Sequence, residues 1–268
     1  MPAVAAGTSH CTPSTAEQGV LTALAAGFRH IDTAHDYCAD GFSGDCSKHG
    51  GSNQQGIGRA LNATTIPRAN IFITSKVPGC GMHGTSRSNC AADSLTAAKK
   101  NLDELGVDYV DLLLVHFPPV GGCGFINCGL IQEQWKALTT LVGSGARAIG
   151  VSNFCISCFK CLEKDAGALV PAANQIQYHI GMGADPGGLL SYSRSKGIQT
   201  QAYSPLGSFT KGTSELINGK LVTELGGHHN KSGVQVALRW IWEHGVAVTT
   251  KSGSAAHLKQ DLDLFDWA

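Results

Sequence analysis

Eight short runs of mostly apolar residues recur along this chain, with helical patterns between most of them. The runs cover residues 3–7, 30–32, 71–76, 111–116, 148–152, 174–177, 199–203 and 247–251. Nearly continuous apolar character suits strands buried on both faces, as in a parallel sheet. Helical periodicity is read over 16–26, 91–105, 132–141, 155–165, 186–195, 234–244 and 255–262. Over 91–105, for example, Leu95, Ala98, Leu102 and Leu105 recur at three- and four-residue steps on one face, and Gly106 follows as a stop. Parallel strands need crossovers of one hand, so eight rounds in 268 residues predict a closed (β/α)8 TIM barrel. The rival, an open doubly wound sheet, is disfavoured because no Gly-x-Gly-x-x-Gly follows the first strand. No repeat, low-complexity tract or linker divides the chain, which predicts a single barrel domain over 1–268.

Charge narrows the partners. Twenty basic and twenty acidic residues cancel, so there is no electrostatic footprint for nucleic acid. No stretch is long and apolar enough to predict a membrane span, and "MPAVAAGTSHCTP" lacks the basic-then-apolar order of a secretory signal. A soluble, cytoplasmic protein is expected. Ten cysteines pull the other way, towards an oxidising compartment if they are paired.

In a barrel, function collects at the C-terminal strand ends. Those ends carry Asp32, Lys76, His116, Ser152, Asn153, Gln175, Gln177, Tyr203, Ser204, Lys251 and Ser252. A single strand-end lysine or histidine ordinarily just reaches solvent. An acid, a lysine, a histidine and Tyr37 on one rim form a chemical group. An ammonium kept charged by Asp32 favours the phenolate, so Lys76 is expected to lower the Tyr37 pKa from about 10. His116 would donate to a carbonyl oxygen, and Tyr37 would pass that oxygen its proton.

The segments "GFRHIDTAHDY", "FITSKV", "DLLLVHFP", "IGVSNF", "NQIQYH", "AYSPLG" and "TTKSGS" together resemble the serial motifs of the aldo-keto reductases, in that family's order and over nearly the whole chain. The resemblance implies NAD(P)H-dependent reduction of an aldehyde or ketone, with a catalytic tetrad of Asp32, Tyr37, Lys76 and His116. It implies that Ser152, Asn153 and Gln175 hold the carboxamide and that Tyr203 stacks on the nicotinamide. Ser204, Leu206 and Ser208 would line the pyrophosphate path, and Lys251 with Ser252 would meet the adenosine 2′-phosphate. Thr8 and Ser254 complete the implied cofactor contacts. Relatives commonly have an arginine where this chain has His257, and the adenine positions that follow read Gln260 and Asp261. NADPH is expected ahead of NADH, and a small-molecule carbonyl compound is the expected partner of a monomer.

Against that family pattern, Ser9 and Phe117 stand where pocket tryptophans are common. The sequence starts at the first strand and stops soon after the eighth helix, so neither the floor hairpin nor the long closing tail is expected. An open pocket for a bulky or hydrophilic substrate is therefore expected.

Three loops are extended, at about 38–53, 78–90 and 119–130, and each holds two cysteines: Cys38 with Cys46, Cys80 with Cys90, and Cys123 with Cys128. Local disulfides would stiffen each loop into a wall; reduced thiols are the alternative. Cys11 is left to pair with one of Cys155, Cys158 and Cys161, whose spacing in "CISCFKC" puts them near one helix face. No matched fourth ligand accompanies them, so no metal is expected. A second functional reading keeps the scaffold and changes the role, to a nucleotide-binding, redox-sensing or regulatory protein with little turnover.

Overall fold

The computed structural model of the protein describes residues 1–39, 41–120, 122–165, 167–207 and 213–267. In chain order its elements are β1 (Val4–Gly7), α1 (Pro13–Ala26), β2 (His30–Asp32), β3 (Tyr37–Cys38), β4 (Gly41–Phe42), α2 (Asn53–Ala63), β5 (Phe72–Val77), α3 (Cys90–Leu105), β6 (Val110–Val115), α4 (Cys128–Thr139), β7 (Ala146–Ser152), α5 (Ile156–Leu162), β8 (Ala173–Gln177), α6 (Leu189–Ser195), β9 (Gln199–Tyr203), α7 (Thr213–Asn218), α8 (Lys220–His229), α9 (Gly233–Glu243), β10 (Ala247–Thr250) and α10 (Ala255–Leu262). Among the described residues, β1, β2, β5, β6, β7, β8, β9 and β10 pair in that order, and β10 returns to β1 to close a barrel. Every one of these pairings is parallel. The eight predicted strands are these eight, to within two residues at either end.

Three helices were not foreseen: α2, α7 and α8. In α2 the apolar stripe is thin, and two internal glycines weaken the helical pattern. Those glycines have a packing reason. A Cβ on Gly56 would lie 1.7 Å from the Pro13 carbonyl oxygen at the start of α1, and one on Gly58 would lie 2.7 Å from the Glu104 carbonyl oxygen of α3. The helix gives up intrinsic propensity to approach both neighbours closely.

Between barrel and helices runs a continuous apolar shell that includes Ile31, Ile73, Leu113, Val151, Leu238 and Val248. Inside the barrel the lower part is plugged by Leu112, Leu114 and Ala173, with Phe72 and Ala148 against them. Other interior positions are polar, and they bond one another: His30 Nε2 with Thr74 Oγ1 at 2.8 Å, Gln175 Nε2 to Gln201 Oε1 at 3.1 Å, and Gln201 Nε2 to Thr249 Oγ1 at 2.8 Å. A closed interior offers little water, so each such group needs a protein partner. His30 shows the cost of that position, since burial pushes its imidazole down to about 4. Among the described residues, no helix is long and apolar enough to cross a membrane.

Candidate active site

Register brings the reactive groups together. Asp32 ends β2 beside Thr74 of β5, and Lys76 lies two residues further along β5. Both side chains are buried, and Lys76 Nζ donates to Asp32 Oδ1 at 2.7 Å and to the Thr33 carbonyl at 2.8 Å. The chain beyond β2 keeps bonding to β5, Thr33 N to Thr74 O and His35 N to Lys76 O, and so turns back over the barrel mouth. That turn delivers Tyr37, whose Oη receives the third Lys76 bond at 3.2 Å. Gln175 Nε2 closes the other side of the carboxylate, donating to Asp32 Oδ2 at 2.6 Å.

Tyr37 does not titrate as expected from Lys76 alone. Burial pushes its phenol well above 10, and the Asp32 and Asp36 carboxylates push the same way. The phenol therefore keeps its proton across the physiological range.

His116 follows β6, and its N–H bonds the Val77 carbonyl at 2.8 Å. Its ring stacks on Phe117 with centroids 4.6 Å apart and meets the Tyr37 ring edge-on at 5.4 Å. Its Nδ1 bonds Asp36 Oδ1 at 2.7 Å, and both side chains are buried. Burial alone would raise the Asp36 carboxyl, but the His116 imidazole, with His83 beside it, holds it below the usual carboxylate range. Sequence reasoning passed over Asp36, because it adjoins the tyrosine and belongs to no pattern that marks it. Phe42 was missed in the same way. The first extension opens as a hairpin, β3 against β4, that pairs Tyr37 with Phe42 and sets the Phe42 ring 5.4 Å from Tyr37 and 5.7 Å from His116.

The residues singled out for a cofactor fall into two groups. Ser152, Asn153, Gln175 and Tyr203 share one edge of the mouth. Ser152 Oγ donates to the Gln175 carbonyl at 2.8 Å, Tyr203 Oη donates to Asn153 Oδ1 at 2.8 Å, and Asn153 Nδ2 donates to the His116 carbonyl at 2.9 Å. Asn153 and Ser204 both hold left-handed backbone, at φ 60° and 48°, a strain that concentrates at functional sites. Thr8 is buried beneath, donating from Oγ1 to the Asp32 carbonyl at 2.9 Å and accepting from Asn53 Nδ2 at 3.1 Å. Further round the rim, Lys251 Nζ donates to the Ser9 carbonyl at 2.7 Å, Ser252 Oγ accepts from Ser254 N at 3.1 Å, and Ser254 caps α10 by accepting from His257 N at 3.4 Å. His257 is exposed, and Leu206 packs on the core shell. Asp261 departs from its expected place: it is buried, with Oδ2 accepting from Thr250 Oγ1 at 2.8 Å, so its carboxylate is not offered to a ligand. Ser208 lies outside the described residues. The donor set fits a nicotinamide carboxamide at the first group, where amide and hydroxyl groups converge, and a phosphate at the second, where a lysine stands by a helix N-terminus.

Two of the three loop disulfides form as expected, Cys38 with Cys46 and Cys80 with Cys90. The third does not. Cys123 pairs with Cys155 and Cys128 with Cys161, while Cys11 and Cys158 remain thiols. Cys128 opens α4, and α4 packs on α5, whose cysteines line the facing side; Cα atoms 5.0 Å apart suit a bridge between Cys128 and Cys161. The third loop is thus stitched to the next helix rather than closed on itself, and Cys11 is not used. Cys123, Cys155 and Cys158 place their sulfurs within 4.8 Å of one another, but two of the three are spent in a disulfide. A cavity of about 700 Å³ lies at the opposite end of the barrel, lined by Phe72, Asp111, Arg147 and Trp242 among others, away from all these groups.

A closed parallel barrel that gathers an acid, a lysine, a phenol and an imidazole at its strand ends has the layout of a barrel enzyme with its active site on that face. A family model described as the Aldo/keto reductase family matches residues 3–267. The chain is 32% identical over 253 residues to the glyoxal reductase of Bacillus subtilis, covering 94% of this chain and 78% of that protein. It is 31% identical over 277 residues to the morphine 6-dehydrogenase of Pseudomonas putida, covering 100% and 83%. Among solved structures, an aldo/keto reductase from Brucella melitensis aligns with a TM-score of 0.80 at 32% identity, covering 100% of this chain and 88% of that one. The protein belongs to the aldo/keto reductase family. As such it is an oxidoreductase of small carbonyl compounds that works with a nicotinamide cofactor.

Proposed function

We propose that the protein reduces an aldehyde or ketone to the alcohol with NADPH, and that Tyr37 is the general acid. The observation that carries this reading is the buried chain from Asp32 through Lys76 Nζ to Tyr37 Oη, at 2.7 and 3.2 Å. A bound nicotinamide supplies the hydride for the carbonyl carbon. Tyr37 then gives its proton to the carbonyl oxygen, and Lys76 stabilises the phenolate left behind. The phenol holds its proton at neutral pH, the form that carbonyl reduction needs. Asp32 pairs with Lys76 at 2.7 Å and so holds its Nζ beside the phenol.

Ser152, Asn153 and Gln175 would hold the carboxamide and Tyr203 would stack on the nicotinamide ring. Lys251, Ser252 and the N-terminus of α10 favour the 2′-phosphate and so NADPH over NADH. The protein acts as a single-domain monomer. Its four disulfides among the described residues favour an oxidising compartment over the cytoplasm.

The test mixes the protein with NADPH and a panel of aldehydes and ketones and follows the absorbance of the reduced cofactor. Wild type should turn over at least one, and Tyr37→Phe should lose roughly 10²–10⁴-fold in kcat/KM. Tight nucleotide binding with no turnover would favour the redox-sensing reading instead, and equal rates for wild type and Tyr37→Phe would remove Tyr37 from the role of acid.

A further inference from the structure

We propose that Asp36 is a positioning residue that commits His116 to the imidazolium form, so that carbonyl polarisation in this protein uses a charged rather than a neutral hydrogen-bond donor. The inference rests on the reductase reading above and adds a residue to it. Its basis is hydrogen-bond chemistry. An ionised carboxylate only accepts, so the 2.7 Å contact between Asp36 Oδ1 and His116 Nδ1 requires a proton on Nδ1. A neutral imidazole has one N–H. With that proton on Nδ1, Nε2 is left as a bare lone pair, which repels a carbonyl oxygen. His116 therefore donates to substrate through Nε2 only when both nitrogens carry protons.

The surroundings support the charged form. Asp36 is buried, 0% exposed, and its second oxygen has no hydrogen-bond partner among the described residues, so the imidazole is its main compensation. A buried carboxylate left without such compensation is strongly unfavourable. The groups facing His116 from the packed elements are Asp36 and Tyr37 beyond β2, His83 in the loop beyond β5, and the Asp32–Lys76 pair behind Tyr37; Phe42 and Phe117 complete the enclosure. Asp32 and Lys76 cancel one another, Tyr37 is uncharged, and His83 carries no negative charge. Asp36 is thus the carboxylate assigned to His116.

Backbone geometry holds the pair in register. Asp36 is fixed by its carbonyl, which accepts from Ser43 N at 3.0 Å in the first loop, and His116 by its N–H to Val77 and its carbonyl to Asn153 Nδ2. The residue just before the acid therefore sets the charge state of the group that orients the substrate. A charged donor is roughly twice as strong as a neutral one, and it strengthens as negative charge develops on the carbonyl oxygen.

Two measurements on the full chain test this. The first is the pH profile of kcat/KM for NADPH with 4-nitrobenzaldehyde, or with whichever aldehyde of the panel turns over. An alkaline fall in rate that Asp36→Asn moves reports the Asp36–His116 pair, which Tyr37 alone would leave in place. In wild type we expect such a fall. In Asp36→Asn the amide donates to Nδ1, which leaves a neutral Nε2–H; the fall should flatten or move by at least one pH unit, and the rate at pH 7 should drop about tenfold. Asp36→Glu should restore the wild-type shape, and His83→Gln should leave it in place. A purely structural Asp36 would lower the rate without moving the profile, and that result overturns the proposal.

The second measurement needs neither cofactor nor turnover. Long-range 1H–15N correlation spectra, with His116→Gln to assign the signal, should show both His116 nitrogens protonated at pH 7 in wild type and one in Asp36→Asn. A wild-type ring protonated on Nδ1 alone would overturn the proposal. If wild type fails to reduce any carbonyl while the spectra show the imidazolium, the reductase reading fails and the charge assignment stands.

Discussion

The floor of the site and its wall are held by different forces. Asp32, Lys76 and Gln175 lie within strands that are hydrogen-bonded on both sides in a closed ladder, and their side chains then bond one another. Phe42 and His83 face that floor from loops with little or no ladder behind them. There, covalent closure takes over: Cys38–Cys46 spans 8 residues and Cys80–Cys90 spans 10. The two loops also lean on one another through glycine, since a Cβ on Gly44 would sit 2.3 Å from the His83 carbonyl oxygen. A ladder orders its residues one hydrogen bond at a time, whereas a loop must be restrained through its unfolded-state entropy. Asp32, Lys76 and Gln175 are therefore insulated from changes in the wall, whereas Tyr37, paired with Phe42, and Asp36, bonded to Ser43 N, join the floor to it.

Breaking the floor should cost most. Lys76→Met leaves Asp32 buried without its cation and should lower unfolding free energy by about 3–5 kcal/mol in urea titration, along with loss of turnover. Next comes the stitch between α4 and α5. Removing both of its bridges, Cys123–Cys155 and Cys128–Cys161, by serine substitution reopens a loop of 32 residues and should cost at least about 3.7 kcal/mol by chain entropy, against about 2.5 kcal/mol for the 8-residue Cys38–Cys46 loop. If the short loop proved the costlier of the two, the entropic account of the wall would fail.

The floor should also be the acid-sensitive part. His30 titrates near 6.5 when unfolded and near 4 when folded, so between those values the unfolded chain holds the extra proton. Stability from this group is complete above pH 6.5 and is lost as pH falls towards 4, by about 3 kcal/mol. His30→Asn should remove that slope from unfolding curves taken across the window. The smallest effect on stability belongs to the wall surface. Phe42 is 41% exposed, so Phe42→Ala should change unfolding free energy by under about 1 kcal/mol while raising KM for aromatic carbonyl substrates. A larger fall in kcat than rise in KM would show that the wall also orients the reacting group.

Much of the floor is legible along the chain, because each strand is an apolar run and the polar residue that ends it stands out. Asp32, Lys76, His116, Ser152, Gln175 and Tyr203 were all located in this way. Helix α2 was not, since Gly56 and Gly58 serve contacts with Pro13 and Glu104 that no local pattern contains. The direction of the Tyr37 shift was also hidden, because Lys76 is visible as a motif while burial is a property of the closed barrel.

The cysteines draw the same line. Cys38–Cys46 and Cys80–Cys90 were read correctly because loop neighbours meet at short range. Cys128–Cys161 was not, because its partner is supplied by the packing of α5 on α4.

By itself the sequence determined the number and chain order of the barrel strands and the residues near their ends, since periodicity records which faces are buried. The tertiary structure alone decided the pairings. Asp36 and His116 are 80 residues apart and meet only because the barrel closes β2, β5 and β6 side by side and turns the chain back over its mouth. A residue's neighbours along the chain set its local conformation, and its partners across space follow from how the layers close.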